Sequence, residues 1–228
     1  MNLPSFPNVD LFSAGVNALY GVLIARDPSH NRGYSVAGLL IFAFFGGIGG
    51  GVSRDMLLNE VPSPLKHPIY LVVCILMGLL GLALSQWAET KEEWFRARVL
   101  AYCKSFSLPW FAILGAHKAL EHDLGIFAAI CVGLLATTAG GVVIDLFSGV
   151  TPEVVRPAEH LVTTAVLSAG IYTMVAVLAQ GRLAFFHITL IAVLVGFVFR
   201  VIAVRDHWKQ IVPLDAAPAG PRAPGGRG

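Results

Sequence analysis

Seven stretches of this 228-residue sequence are rich in apolar residues and carry few charged ones. A helix of about 20 apolar residues is long enough to cross a bilayer core about 30 Å thick. Only 13% of all residues are charged, about half of the share in a soluble domain, so the chain could not cover a water-facing surface. The sequence therefore predicts an all-α integral membrane protein with seven transmembrane helices, at residues 11–25, 36–58, 69–87, 106–121, 125–149, 160–179 and 183–204.

The distribution of lysine and arginine predicts the orientation of these spans. With seven spans, one side of the membrane receives four of the 16 basic residues and the other side receives the rest. Because basic residues collect on the cytoplasmic side, we expect a multi-pass cell-membrane protein with its amino terminus, residues 1–10, outside. The connection 88–105 and the Pro- and Gly-rich tail 205–228, which we expect to be disordered, then lie in the cytoplasm.

The second and fifth predicted spans carry the same pattern. Each has Gly-Gly-Val, then an aspartate four residues after the second glycine, then a proline seven residues after the aspartate. The copies are 90 residues apart and three helices separate them, so they must enter the membrane from opposite sides. We therefore expect an inverted repeat, with residues 11–87 as one half, 106–179 as the other and 183–204 as an added seventh helix.

Glycines cluster near the middle of both repeat spans. They weaken a helix and favour a kink, and in transporters with inverted repeats the working site lies near the midplane where interrupted helices meet. The alternative is close packing, since small residues four apart let two helices approach, and the sequence does not separate the two interpretations. The glycines concerned are Gly46, Gly47, Gly49, Gly50, Gly51, Gly140 and Gly141.

Ionisable side chains inside the spans are candidates for a functional site. A charge deep in a span costs roughly 2.5–3.5 kcal/mol, and such side chains usually face a bundle interior or a water-filled cavity. We expect Asp55 and Asp145 to lie toward opposite ends of one path. Arg54 is expected to have a structural pairing with a residue other than Asp55, because adjacent residues on a helix do not face each other. Lys118, late in the fourth span, either lies near this path or marks an exposed helix end.

Three hydroxyl side chains near the glycines, Ser53, Thr137 and Thr138, could present oxygen atoms to a path through the membrane. Threonine hydroxyls can equally bond to their own helix. No catalytic triad, zinc pattern or phosphate loop is present, and a net charge of +2 does not indicate a nucleic-acid partner. We therefore expect no catalytic residue, no metal site and no cofactor.

The first copy of the repeat resembles the signature of a known family. The run Gly46-Gly47-Ile48-Gly49-Gly50-Gly51-Val52-Ser53-Arg54-Asp55, followed by Val61-Pro62, is similar to the first repeat of the trimeric intracellular cation (TRIC) channels. The resemblance covers about residues 11–204. It implies a homotrimer embedded in membrane lipids, with one pore per subunit lined by kinked second and fifth helices. It also implies conduction of potassium and other monovalent cations, and Lys118 resembles a fourth-span lysine that the family places near the pore in connection with gating.

The second copy of the repeat departs from a related pattern. Some small bacterial membrane proteins, several of them proposed as glycine transporters, carry Gly-Gly-Gly-x-x-Arg-Asp in both repeats. Here Ala139 stands in place of the first glycine of the second copy, and Ile144 stands in place of the arginine. This asymmetry favours a cation channel. The alternative function, a secondary transporter for a small amino acid such as glycine, stays open.

Overall fold

The computed structural model describes residues 7–27, 30, 33–88, 93–156, 160–179, 185–206 and 208, and all regular secondary structure in this part of the chain is helical. Its seven long helices are α1 (Pro7–Ala25), α2 (Val36–Leu57), α3 (Ile69–Ala88), α4 (Glu93–Glu121), α5 (Ile126–Phe147), α6 (Leu161–Ala179) and α7 (Phe185–Arg205). A short helix, Ser63–Lys66, follows α2, and a single 3-10 turn, Glu153–Val155, follows α5. The predicted all-α fold class is confirmed.

Each of the long helices overlaps one of the seven predicted spans. Among the described residues, α2, α3, α5, α6 and α7 are long and apolar enough to cross a membrane, and α1 contains a shorter apolar segment, Asp10–Ala25. The largest difference concerns α4, which begins at Glu93, inside the segment 88–105 that was assigned to a cytoplasmic connection. Nearly all of the tail that was expected to be disordered lies outside the described residues.

Helix α4 lies among the other helices of the bundle. It contacts α1, α5, α6 and α7, and Phe111 and Ile113 are almost completely buried. Pro109 lies inside α4 and packs against α7, where a β-carbon added to Gly196 would be 3.2 Å from the proline ring.

The helices form two halves with the same internal contacts. In the first half α1 packs against α2 and α3, and in the second half α4 packs against α5 and α6. The halves meet mainly where α2 contacts α5, with a further contact between α1 and α4. Helix α7 packs against α4 and α6. The result is the three-plus-three-plus-one arrangement that the sequence repeat predicted.

Apolar side chains are exposed on the outside of this bundle. They include Leu76 on α3 and Val198 on α7, which are 60% and 50% exposed. A contiguous apolar surface of this kind is unfavourable in water, whereas in a bilayer it contacts acyl chains. Together with the apolar helices, this surface identifies the chain as a multi-pass membrane protein.

Glycine backbones make the contact between α2 and α5. A β-carbon added to Gly50 would lie 2.0 Å from the carbonyl oxygen of Ala136, and one added to Gly140 would lie 2.5 Å from the carbonyl oxygen of Phe45. Cα–H groups make favourable contacts with carbonyl oxygens between helices, and here only a residue without a β-carbon permits them. Both helices remain α-helical across their glycines. The kink that the glycines favour would therefore be a bend within a continuous helix, and it stays a prediction.

We expect Gly50→Ala to destabilise the protein by about 3 kcal/mol, because the new methyl group would overlap a backbone carbonyl that cannot move without displacing α5. Gly141→Ala is the matched control on the neighbouring helix, since no atom outside the adjoining backbone of α5 lies within 4 Å of a β-carbon at that position. Thermal unfolding of both variants in mild detergent measures the difference. Equal melting temperatures would contradict the proposed contact.

Candidate functional site

The ends of α2 and α5 form the same hydrogen-bonded turn. After α2 the Glu60 amide donates to the Asp55 carbonyl oxygen at 2.8 Å, and after α5 the Val150 amide donates to the Asp145 carbonyl oxygen at 2.9 Å. This is the Schellman motif, which requires one residue with a left-handed backbone. The left-handed residues of the two turns are Asn59 (φ 56°) and Gly149 (φ 67°). We call residues 55–63 the first turn and residues 145–153 the second turn.

The aspartate side chains tie each turn to the short helix that follows it. The Asp55 carboxylate accepts hydrogen bonds from the Ser63 amide at 2.7 Å and from the Ser63 hydroxyl at 2.9 Å. In the second turn, the Asp145 carboxylate accepts one from the Glu153 amide at 2.8 Å. A proline has no amide hydrogen to donate, so the residue after it provides the donor. These bonds explain why aspartate and proline recur at the same spacing in both repeats.

At the first turn, Asp55 is completely buried between two cations. Arg54 Nε donates to Asp55 Oδ1 at 2.8 Å, and Lys118 Nζ donates to the same oxygen at 2.7 Å. The expectation that Arg54 would not pair with its neighbour is wrong, because the long arginine side chain folds back across the end of the helix. Arg54 Nη1 also lies 3.7 Å from Asp10 of α1, so this cluster joins α1, α2 and α4.

Glu60 extends the cluster toward the surface. Its carboxylate lies 2.7 Å from Lys118 Nζ, 2.7 Å from His122 Nε2 and 3.5 Å from Lys66 Nζ. The hydrogen bond from Lys118 is the main reason that the pKa of Glu60 is lowered to about 2, and the bond from His122 lowers it further. Lys118 therefore bridges two acidic side chains and does not extend freely into solvent from a helix end.

The second turn has a different set of charged neighbours. The Asp145 carboxylate lies 3.0 Å from His30 Nε2, which belongs to the loop after α1. Glu153 forms an ion pair with Lys104 of α4 and lies 3.9 Å from Arg200 Nη2 of α7. No sequence pattern connected His30 to another ionisable group, and the contact arises because the loop after α1 reaches the end of α5.

A cavity lies between α1, α2, α4 and α5. It is partly open to the outside, and the centre of a water-sized molecule can occupy about 60 Å³ of it. It extends from the glycine contact between α2 and α5 to the second turn, where Asp145 and Glu153 line it. Its lining within the described residues includes neither Asp55 nor Lys118. Other lining residues are Tyr20, Lys104, Phe111, Thr137, Thr138 and Gly141.

The three candidate hydroxyls bond to their own helices. Thr137, Thr138 and Ser53 each donate to the carbonyl oxygen four residues earlier, at 2.8, 2.9 and 2.9 Å. The two threonines also line the cavity. A hydroxyl oxygen that donates its hydrogen to the helix keeps lone pairs that can face a cation.

Several members of these clusters were absent from the sequence-based candidates. One of them could have been found from the repeat, because Glu153 stands 90 residues after Ser63 and holds the equivalent place in the second turn. Of the others, one lies inside α4 and the rest lie in loops or near a helix end, and no repeated pattern marks any of them. The residues concerned are Asp10, His30, Glu60, Lys104 and Glu153.

Sequence comparison relates most of the chain to one family. The family model described as "Glycine transporter" matches residues 8–86 and 101–177. The chain is 26% identical over 212 residues to the UPF0126 inner membrane protein YadS of Escherichia coli (strain K12), which covers 88% of this chain and 92% of that protein. It is 30% identical over 178 residues to a UPF0126 membrane protein of Vibrio cholerae, covering 76% of this chain and 68% of that protein.

Structure comparison identifies the fold. The chain superimposes on the TRIC trimeric intracellular cation channel orthologue from Rhodobacter sphaeroides with a TM-score of 0.75 and 24% identity, over 87% of this chain and 96% of that one. A second TRIC cation channel structure matches with a TM-score of 0.79 and 22% identity, over 94% of this chain and 100% of that one. The resemblance that the first repeat indicated is confirmed as a shared fold.

The two aspartates have different surroundings, so we expect their replacement by asparagine to lower the free energy of unfolding by different amounts. Asp55→Asn leaves Arg54 and Lys118 without the carboxylate that they share, and breaking a buried ion pair costs about 3–5 kcal/mol. Asp145→Asn should cost clearly less, because its carboxylate faces a histidine and a cavity. Unfolding midpoints of both variants in mild detergent test this order, and a larger loss for Asp145→Asn would contradict it.

Proposed function

Because the chain belongs to the family described as "Glycine transporter" and has the fold of the TRIC cation channels, we propose that it is a cation channel for potassium and other monovalent cations. The observation that carries this proposal is the cavity between the two halves, which ends at a pair of acidic side chains. The proposed activity is passive conduction, with no catalytic step and no cofactor.

The cavity has the chemical character of an entrance for cations. Asp145 and Glu153 supply carboxylates at its polar end, and Thr137 and Thr138 supply oxygen atoms farther along α5. Oxygen ligands of these kinds replace the hydration shell of a monovalent cation, and rings of acidic side chains select for cations. The proposed path continues past Gly141 and the glycine contact between α2 and α5.

We further propose that the first turn closes the opposite end of the path. Lys118 holds both Asp55 and Glu60 at 2.7 Å, and Asp55 has no exposed surface. In this arrangement neither carboxylate can attract a cation. When the lysine moves away, each acid loses one of its cationic neighbours, so that Asp55 acts at one mouth of the pore and Asp145 at the other.

The assembly and the orientation that we propose follow the family resemblance and the distribution of basic residues. The protein would form a homotrimer with one pore in each subunit, which suits the solved TRIC structures that share its fold. The amino terminus would lie outside and the carboxyl terminus in the cytoplasm. The second turn and the end of the cavity beside it then face the cytoplasm.

Recordings from purified protein in planar bilayers test the channel directly. We expect discrete current steps and, in a gradient of potassium chloride, a reversal potential near that of potassium. Asp145→Asn should lower the potassium conductance about threefold at low ionic strength, because a charged cleft concentrates counter-ions.

Asp206→Asn is the matched control for this variant, since it removes one negative charge from an exposed position that lies outside the cavity lining. Equal conductance of the two variants would exclude Asp145 from the mouth of the pore. Saturable glycine uptake without current steps would instead indicate the transporter that the family description names.

Removing the ammonium group of Lys118 should raise the open probability or abolish voltage dependence, because Asp55 and Glu60 would lose the one cation that they share. Lys66→Ala is the control, since Lys66 also contacts Glu60 but is half-exposed and lies 3.5 Å away. Single-channel recordings of Lys118→Ala and Lys66→Ala make the comparison. Unchanged gating in Lys118→Ala would show that the lysine has only a structural role.

A further inference from the structure

Helix α4 supplies one lysine to each of the two turns. Lys118 contacts Asp55 and Glu60 of the first turn, and Lys104 forms an ion pair with Glu153 of the second turn. The two lysines are 14 residues apart in the sequence, which is about 21 Å along a helix. The charged groups of α4 thus reach both ends of the proposed path.

The side chain of Lys104 lies in the polar end of the cavity. Lys104, Glu153 and Asp145 all line this end, and the Lys104 side chain is only 15% exposed. Its Nζ atom lies 5.5 Å from the centre of the Tyr20 ring, a distance at which the face of an aromatic ring attracts a cation. The ammonium group is therefore held by a carboxylate and a ring face inside the cavity.

A monovalent metal cation and an ammonium group carry the same charge and are attracted by the same carboxylates and ring faces. Resting on the channel function proposed above, we infer that the ammonium of Lys104 occupies a cation site at the cavity end of the path and competes with the permeating cation for it. The site consists of Glu153, the Tyr20 ring and the adjacent Asp145. A cation passes this end only when the lysine side chain has moved away.

The alternative is that the ion pair only fastens α4 to the second turn. The surroundings allow the two roles to be separated, because Arg200 also lies near Glu153, at 3.9 Å. Glu153 therefore keeps a cationic neighbour in Lys104→Ala, which favours folding of that variant. Lys104→Met retains most of the aliphatic stem without the charge and serves as a second variant.

The experiment compares potassium conductance of the wild-type protein, Lys104→Ala, Lys104→Met and Lys104→Arg in planar bilayers at low ionic strength. We expect about a fivefold higher conductance in the two uncharged variants, since they remove a unit charge within a few ångströms of the ion. Lys104→Arg should stay close to the wild type. Arg205→Gln, which removes an exposed positive charge paired with Asp206, controls for a general effect of surface charge and should leave the conductance unchanged.

A small soluble ammonium ion provides a second measurement of the same site. Ethylammonium, added to each side of the bilayer in turn, should block Lys104→Ala from one side only. Its half-blocking concentration should be about tenfold lower than for the wild type, because in the variant the site is vacant. Lys104→Arg should resist the block as the wild type does.

The outcomes distinguish this inference from the channel function on which it rests. If the wild type conducts and Lys104→Ala has the same conductance and the same sensitivity to ethylammonium, Lys104 only fastens α4 and the inference is wrong. Conduction by Lys104→Ala but not by the wild type would support it most strongly. If neither protein conducts cations, the channel function fails and the inference fails with it.

Discussion

The direct contact of backbone with backbone between α2 and α5 determines how the rest of the molecule is arranged. Gly50 and Gly140 bring each helix against a carbonyl oxygen of the other, at distances that leave no room for a β-carbon. The two halves of the chain are joined chiefly through this contact. The cavity begins beside this contact. The first and second turns lie at the carboxyl-terminal ends of α2 and α5.

The second constraint is the absence of water inside a bilayer, which requires buried ionisable groups to find partners within the protein. The two halves meet this requirement differently because one position differs between the repeats. Arg54 pairs with Asp55 in the first half, whereas Ile144 at the equivalent position is buried in an apolar cluster. Asp145 has no adjacent arginine and instead faces His30 and the cavity. The inverted repeat thus yields one end at which the aspartate has two cationic partners and another at which the aspartate lines a cavity.

Periodic features of the sequence predicted the fold well. The apolar stretches located the seven helices, and the shared spacing of glycine, aspartate and proline identified the inverted repeat, because backbone constraints act over a few residues. The partners of the charged groups could not be predicted in the same way. His30 reaches Asp145, and Lys118 reaches Asp55, across more than 60 residues of sequence. Contacts of this kind depend on how the helices pack, and the adjacency rule for Arg54 failed because it treats side chains as rigid.

Pro109 is a position between Lys104 and Lys118 at which α4 bends more easily. A proline cannot donate a hydrogen bond to the carbonyl oxygen four residues earlier, and its ring displaces that carbonyl group. The helix therefore resists bending less at this point than an uninterrupted helix would. In a rigid helix both ends would move together, so that Lys104 and Lys118 would leave their acids in the same step. Because α4 bends more easily at Pro109, the half that carries one lysine can move while the other half stays in place.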